Sequence, residues 1–364
     1  MTNVKPALAI EIGPMLEDIW TGIPVFTRRL ISALTQDGRL DLRFVHNCIE
    51  IPMDAVRSAM ALGAGSFLRE RYEQLTMSER RILDLSTPVL YPSTKSNLGG
   101  IYAREASTVH DLSTLVMPEN HVEANVAYHM DHFEDELESN ELTFAISQST
   151  DAALQSAFPN TAGRTQLLYQ YVDWPDEFEV LDRNSPTIDI GRYAVVIGTV
   201  EPRKNLTLLI DALSHPDIAA SEIKFVIIGK RGWLVDSFLQ DIPEHLRGRL
   251  IFSGFVSDFI KYRLIKAAEF MIFPSMYEGF GIPALEAMSL GKPVMAAMTS
   301  SFPEVIGEGG IYFDPFSVTE FAEAFAEIVS PGRAAELAAK ALKQSSIFNP
   351  PRMAAPVVEW VCSG

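Results

Sequence analysis

YAVVIGTVEPRKNLTLLIDALSH, residues 193–215, and IKFVIIG, residues 223–229, decide the fold. The first eight residues are an apolar, β-branched run of the kind found in strands buried on both faces. NLTLLIDALSH then spaces its apolar residues at helical intervals, and IKFVIIG is a second strand run. A strand, a helix and a strand in this order make a parallel pair joined by a crossover helix. The pattern goes on through RLIFSGFV (249–256), FMIFPS (270–275), PVMAAM (293–298), a short helix around FPEVIGE and GIYFDP (310–315), and closes with an amphipathic helix over residues 318–329. The second half therefore reads as one complete doubly wound domain.

The first half alternates less regularly. ALAIEIG, DLRFVHN, PVLYPS, STVHDL and LTFAIS read as strands, with helices over residues 24–34 and 121–138 and another from Thr150 onward. Residues 57–85 are helical in pattern but out of step with the alternation, so they read as an insertion. DWPDEFEVLDRNSPTIDIG (173–191) breaks both periodicities with two prolines and several acids, and reads as a linker. The predicted fold class is α/β, with two Rossmann-like doubly wound domains at residues 1–180 and 190–345 facing each other. Ligands of open parallel sheets bind outside the carboxyl ends of the strands, so the cleft between the two domains is the expected site.

Composition narrows the function classes. The chain has 364 residues and 47% hydrophobic content, enough for two cores, and no apolar run reaches the length of a membrane-spanning helix. The net charge of −17 is concentrated in residues 1–185, which carry 14 Lys and Arg against 27 Asp and Glu. Nucleic acid is excluded as an expected partner, because its affinity depends on clustered cations. Two cysteines, Cys48 and Cys362, supply neither a disulfide framework nor metal-ligand spacing. MTNVKPALAIEIG does not read as a signal peptide, and a reducing cytoplasm is the expected location.

Chemically capable residues fall at the predicted strand ends. EPRKN places Arg203 and Lys204 just before a helix, where backbone N–H groups already favour an anion; a diphosphate would fit, and so would an idle surface pair. GKRGW offers Gly229 and Gly232 for close backbone approach and Lys230 and Arg231 for charge, although a plain turn accounts for it nearly as well. In YEGFGIPALEAMSLGKPV (277–294), Gly279 and Gly281 allow a ligand to approach the backbone, and Pro283 starts a helix that is expected to hold Glu286 in its first turn. A carboxylate accepts from two vicinal hydroxyls at once, as a ribose requires, and a second one at Glu278 suits the sugar beside a cationic transition state. Glutamates that merely cap a helix dipole would look the same in sequence.

EPRKN, GKRGW, FSGFVSD, FPSMYEGFGIPALEAMSLGKPV and SSFPEV, in this order, resemble the carboxyl domain of family 4 retaining glycosyltransferases, and Glu278 and Glu286 match that family's E-x7-E signature. VHDLS (109–113) and FAISQST (144–150) resemble its amino-terminal pattern more loosely, as in mannosyltransferase-like members of polysaccharide assembly. The resemblance implies the B-type glycosyltransferase fold, with an acceptor-side first domain on which the tail, residues 346–364, packs back, and a donor-binding second domain. It implies that Arg203 and Lys204 hold the donor diphosphate, Glu286 the ribose and Glu278 the donor sugar. The loop Gly279, Phe280, Gly281 and Ile282 would contact sugar and phosphate, with Lys230 nearby. His110 matches a histidine that contacts donor sugar or acceptor, and Gly22 the glycine of the first loop, where Pro24 departs from the family pattern by removing an N–H.

The expected reaction is retaining transfer of a hexose, best matched by mannose from GDP-mannose, to a glycan or lipid-linked acceptor. No metal is implied, because there is no D-x-D pair at a strand end, and the protein cations take the leaving group. A sugar-nucleotide epimerase, a phosphorylase and a non-catalytic nucleotide-sugar binding module are the alternatives of the same fold. A further alternative is a lipid-facing enzyme in transient membrane contact through the insertion, where Arg57, Arg69, Arg71, Arg80 and Arg81 lie among Met60, Leu62, Phe67 and Leu68, although nearby acids cancel most of that charge.

Overall fold

The computed structural model of the chain describes residues 5–95, 99–230 and 244–363. The chain divides into two compact units, Met1–Tyr171 with Phe348–Gly364, and Val172–Ile347. The boundary falls at residue 172, earlier than the sequence pattern suggested.

The first unit is built on a seven-stranded sheet of β1 (Ala7–Glu11), β2 (Asp41–His46), β3 (Ile49–Ile51), β4 (Val89–Tyr91), β5 (Glu105–Val109), β6 (Leu142–Ala145) and β7 (Thr165–Leu167), in the order β3-β2-β1-β4-β5-β6-β7. The central strands pair in parallel, and β3 turns back antiparallel on β2. Asn47 and Cys48, both at positive φ, make the two-residue turn between them, the backbone that matches the twist of a hairpin. The insertion after β3 forms the helices Met53–Leu62 and Ser66–Glu73. The acidic stretch predicted as one helix over 121–138 is two, Glu123–Asp131 and Phe133–Glu138, with a break at His132.

The tail is the helix Pro350–Cys362, and it belongs to the first unit. Asn349 caps it by accepting the N–H of Arg352 at 3.1 Å. Pro350 and Pro351 sit in the first turn, where a missing N–H costs nothing. The helix lies against the first helix of the chain, Ile23–Asp37, and Arg104 donates to the Trp360 carbonyl at 2.8 Å.

The second unit carries β8 (Tyr193–Ile197), β9 (Lys224–Ile228), β10 (Leu250–Gly254), β11 (Met271–Phe273), β12 (Val294–Ala297) and β13 (Gly310–Phe313), in the order β10-β9-β8-β11-β12-β13. All its strand pairs are parallel. This is the doubly wound order, which reverses between β8 and β11. One face packs Phe225, Phe270, Phe313, Phe321 and Phe325 into a shared apolar cluster. Full burial of each such ring stabilises by about 1.5–3 kcal/mol.

The segment read as a linker is instead part of this unit. It holds the helix Asp176–Arg183, whose Phe178 ring lies 5.6 Å from Tyr262 and 5.3 Å from Phe259. Glu179 takes Lys266 at 2.7 Å and Asp182 takes Arg263 at 2.8 Å. Its acids and flanking prolines are those of a linker, but they face basic partners on the helix Asp258–Ala267.

Candidate active site

In the second unit the loops after β8 and β11, on either side of the order reversal, hold three of the predicted residues together. After β8 the chain makes a 3-10 turn, Pro202–Lys204, then passes through Asn205 at φ 53 into the helix Leu206–Ala212. After β11 it runs through residues 274–281 into the helix Ile282–Ser289. Lys204 Nζ forms an ion pair with Glu278 Oε1, and Arg203 Nη1 lies 3.5 Å from Glu278 Oε2. Arg203 also donates to the Tyr277 carbonyl and pairs with Glu201 at 2.9 Å. Burial opposes the charge of Glu278, but Lys204 and Arg203 outweigh it and hold the carboxyl below its ordinary range.

The backbone of Glu278 is pinned as well. Its N–H donates to Ser300 Oγ at 2.9 Å, and Ser301 Oγ donates to its carbonyl at 3.0 Å. Ser300 adopts φ 43, a left-handed conformation that costs a residue with a Cβ about 1–3 kcal/mol. The SSFPEV motif thus serves Glu278, a role that its sequence did not disclose.

Two glycines have a reason within the protein itself. Gly229 is required by protein backbone: a Cβ there would lie 1.9 Å from the Gly198 carbonyl oxygen. Gly281 is required by its φ of 90° and by the Phe302 ring, 3.0 Å from where its Cβ would stand. Phe280 is buried, so this loop is packed from beneath. Lys230 is exposed, with its ammonium 5.1 Å from the Phe255 ring centroid. Arg231 and Gly232 lie outside the described residues.

Glu286 stands in the second turn of its helix, not the first, so it is no N-terminal cap. It is 4% exposed, and its partner is Lys261 Nζ at 2.8 Å. Burial works against the Lys261 charge, yet Glu286 and Asp258 raise the ammonium above its ordinary range. The Trp174 ring centroid lies 5.5 Å from the same ammonium, and Trp174 Nε1 donates to Ser289 Oγ at 3.0 Å. Sequence reasoning missed Lys261 and Trp174. A signal for Lys261 exists in VSDFIK, where Ser257 caps a helix just past β10 and the lysine follows one turn later.

His110 and Gly22 belong to the first unit. Gly22 is the N-cap of the helix Ile23–Asp37 at φ 53. His110 follows β5, donates from Nε2 to the Pro92 carbonyl at 2.7 Å, and packs edge-on against Phe26. A carbonyl only accepts, so Nε2 carries the proton and Nδ1 keeps its lone pair. Burial pushes this imidazole below its usual range, with the Pro92 bond and Asp111 working against the shift. Beside it lies a cavity of about 590 Å³ lined by Ile23, Ser93, Thr94, His110, Asn125 and Tyr128 among others. Among the described residues no group of three or more His, Cys, Asp or Glu is arranged to hold a metal.

Residues 179–344 match the family described as glycosyl transferases group 1. The O-antigen chain mannosyltransferase B of Escherichia coli is 32% identical over 256 residues, covering 68% of this chain and 67% of that protein. Among solved structures, sucrose-phosphate synthase from Thermosynechococcus elongatus aligns with a TM-score of 0.67 at 16% identity, over 99% of both chains. Anabaena HepE, in complex with UDP and glucose, aligns with a TM-score of 0.64 at 18% identity, over 99% of this chain and 100% of its own. Identities this low speak for the fold, the B-type glycosyltransferase fold, and the sequence relative speaks for the family. The chain belongs to the glycosyl transferases group 1 family and is a glycosyltransferase.

Proposed function

We propose that the chain transfers mannose, with retention, from GDP-mannose to a hydroxyl of a glycan or lipid-linked saccharide in polysaccharide assembly of the O-antigen type. The observation that carries the reading is the cluster of Lys204, Arg203 and Glu278 at the order reversal of the second sheet, eight residues before a buried Glu286. Two cations at a helix start suit a diphosphate. Arg203 and Lys204 then take the charge that develops as the sugar C1–O bond to phosphate breaks. The acceptor oxygen forms the new bond to C1 on the same face, and its proton passes to the departing phosphate. Glu278 stabilises the positive charge on the sugar ring between those events. Lys230 and the loop Gly279 to Ile282 line the approach to this diphosphate. The E. coli relative's name supports mannose, and the HepE complex with UDP supports a nucleoside diphosphate donor.

The acceptor belongs with the His110 cavity in this reading, and the glycine at Gly22 would allow close approach of a phosphate to the backbone. A transient membrane contact by the insertion forms part of the same proposal. Leu62, Phe67, Met77 and Ile82 are exposed there, beside exposed Arg57, Arg71, Arg80 and Arg81. Leu68, by contrast, is buried and belongs to the core. Among the described residues no helix is long and apolar enough to cross a membrane.

The test is direct. GDP-mannose and an α-mannoside acceptor, incubated with the chain in EDTA, should give a new α-linkage, read from the anomeric carbon–proton coupling by NMR. A β-linked product would end the retaining mechanism. Loss of activity in EDTA with recovery in magnesium would end the metal-independent account.

A second experiment addresses Glu286. A carboxylate holding both ribose hydroxyls loses one bond to a 2′-deoxy analogue, at a cost of about 1–3 kcal/mol, or roughly 5- to 150-fold in affinity. Glu286→Ala should bind GDP more weakly and lose most of its preference over 2′-deoxy-GDP. Asp258, 3.2 Å from Lys261, remains to partner the ammonium in that variant. Calorimetric titration of both nucleotides into both proteins decides it: an unchanged ratio removes Glu286 from the ribose.

A further inference from the structure

The His110 cavity has one wall from Ser93 and Thr94, which follow β4, and another from Tyr128 on the helix Glu123–Asp131. A single buried carboxyl joins them. Glu136, 5% exposed, accepts the backbone N–H of Lys95 on Oε1 at 2.6 Å and the Tyr128 phenol on its other oxygen. Lys95 is anchored in turn: its buried ammonium meets Glu105 Oε2 at 2.6 Å and Ser139 Oγ at 2.7 Å. Glu105, the first residue of β5, also accepts the N–H groups of Gly100, Ile101 and Tyr102.

The network therefore runs from the sheet, through Lys95, to both sides of the cavity. For stability alone such a cluster has no advantage over an apolar core of the same volume, because desolvation cancels most of the attraction between its charges. A fully satisfied polar network does fix one geometry where apolar packing admits several. That geometry is the spacing between the two walls.

We propose that Glu136 is a positioning residue for glycosyl transfer: by clamping the 93–95 loop to Tyr128 it sets the width of the cavity that receives the acceptor. Its effect passes through Lys95 and Tyr128, and the inference rests on the acceptor reading given above. Burial raises the Glu136 carboxyl, with the bonds from Tyr128 and Lys95 working against the rise, so the clamp tolerates a neutral group. Glutamine meets the same demands, accepting from Lys95 N–H through Oε1 and donating to the phenol oxygen through Nε2. Leucine meets neither.

The experiment compares wild type, Glu136→Gln, Glu136→Leu and Tyr128→Phe in the full chain, with GDP-mannose as donor and p-nitrophenyl α-mannoside as the acceptor probe. Glu136→Leu and Tyr128→Phe should raise the acceptor KM by about 5- to 20-fold and leave the donor KM within about twofold; Glu136→Gln should match wild type in both. An unchanged acceptor KM in Glu136→Leu, or equal rises for donor and acceptor, overturns the clamp. A wild type that transfers nothing to the mannoside overturns the function proposed above instead. Amide hydrogen exchange then decides the clamp without any acceptor. Residues 93–95 and 123–131 should exchange at least about tenfold faster in Glu136→Leu and at the wild-type rate in Glu136→Gln, with residues 206–212 unchanged throughout. Should Glu136→Leu fail to fold, the same exchange in Tyr128→Phe carries the test, with faster exchange confined to 123–131 expected and none overturning it.

Discussion

Glu278→Gln should lower kcat by about 10²- to 10³-fold and leave the affinity for a nucleoside diphosphate unchanged or stronger. The proposed role lies with charge on the transferred sugar, which exists only during the reaction, so the loss belongs in kcat. The nucleotide responds in the other direction. Lys204 and Arg203 are partly neutralised by Glu278, and the amide leaves both cations more fully available to phosphate. A glutamate that only capped or packed would lower stability and leave kcat intact. Steady-state kinetics on GDP-mannose together with calorimetric binding of GDP separates the two, and a Gln variant at wild-type kcat would remove Glu278 from the chemistry.

Lys204→Ala should strongly destabilise the second unit, because it strips a nearly buried carboxylate of its closest cation. Breaking a buried pair from one side costs about 3–5 kcal/mol. For a unit of this size, that is a fall in melting temperature of roughly 6–20 °C. Transfer should drop as well if Lys204 holds the donor diphosphate as proposed above. The pH dependence gives the cause away. In the wild type the folded pKa of Glu278 lies below its unfolded value of 4.5, so its contribution is complete above pH 4.5 and is lost as pH falls through the folded value. Without Lys204, Arg203 is left as the cation opposing burial, and the folded pKa rises from its wild-type position. The deficit of the variant should then be largest at neutral pH and shrink as the solution is acidified through the carboxylate range. Scanning calorimetry between pH 3 and pH 7.5 checks this, and a deficit independent of pH would mean that the carboxylate charge is not what the lysine holds.

The second unit's fold was legible where strands are buried on both faces, because YAVVI and KFVII leave no other reading for so much continuous apolar or β-branched surface. The strands β3 and β7 are mostly half-buried and gave no such signal, so they went unread, whereas the equally short but fully buried β4 and β11 were read. The helix Asp176–Arg183 was hidden for a different reason: its acids look solvated until their lysine and arginine partners are brought from residues more than 70 positions away. The site divides the same way. Arg203, Lys204 and Glu278 were readable because each follows a recognisable strand into a recognisable turn. VSDFIK announces a capped helix with a lysine one turn in, but what ties Lys261 to Glu286 is the ion pair across two helices, which no local spacing shows. At Gly229 and Gly281 a further reason for glycine was hidden, because a sequence shows that a side chain is missing without showing what stands where it would be.

The helix Pro350–Cys362 closes the first unit from the far end of the chain, and this sets an order of events during synthesis. Domains commonly fold as they leave the ribosome, the amino-terminal one first. Here residues 172–347 are contiguous and complete before the helix that covers Ile23–Asp37 has been made. Until then the helix Ile23–Asp37 lacks the partner that packs against it. The unit begun first is therefore finished last, and any nascent chain that stops short of residue 350 leaves a folded second unit attached to an unfinished first.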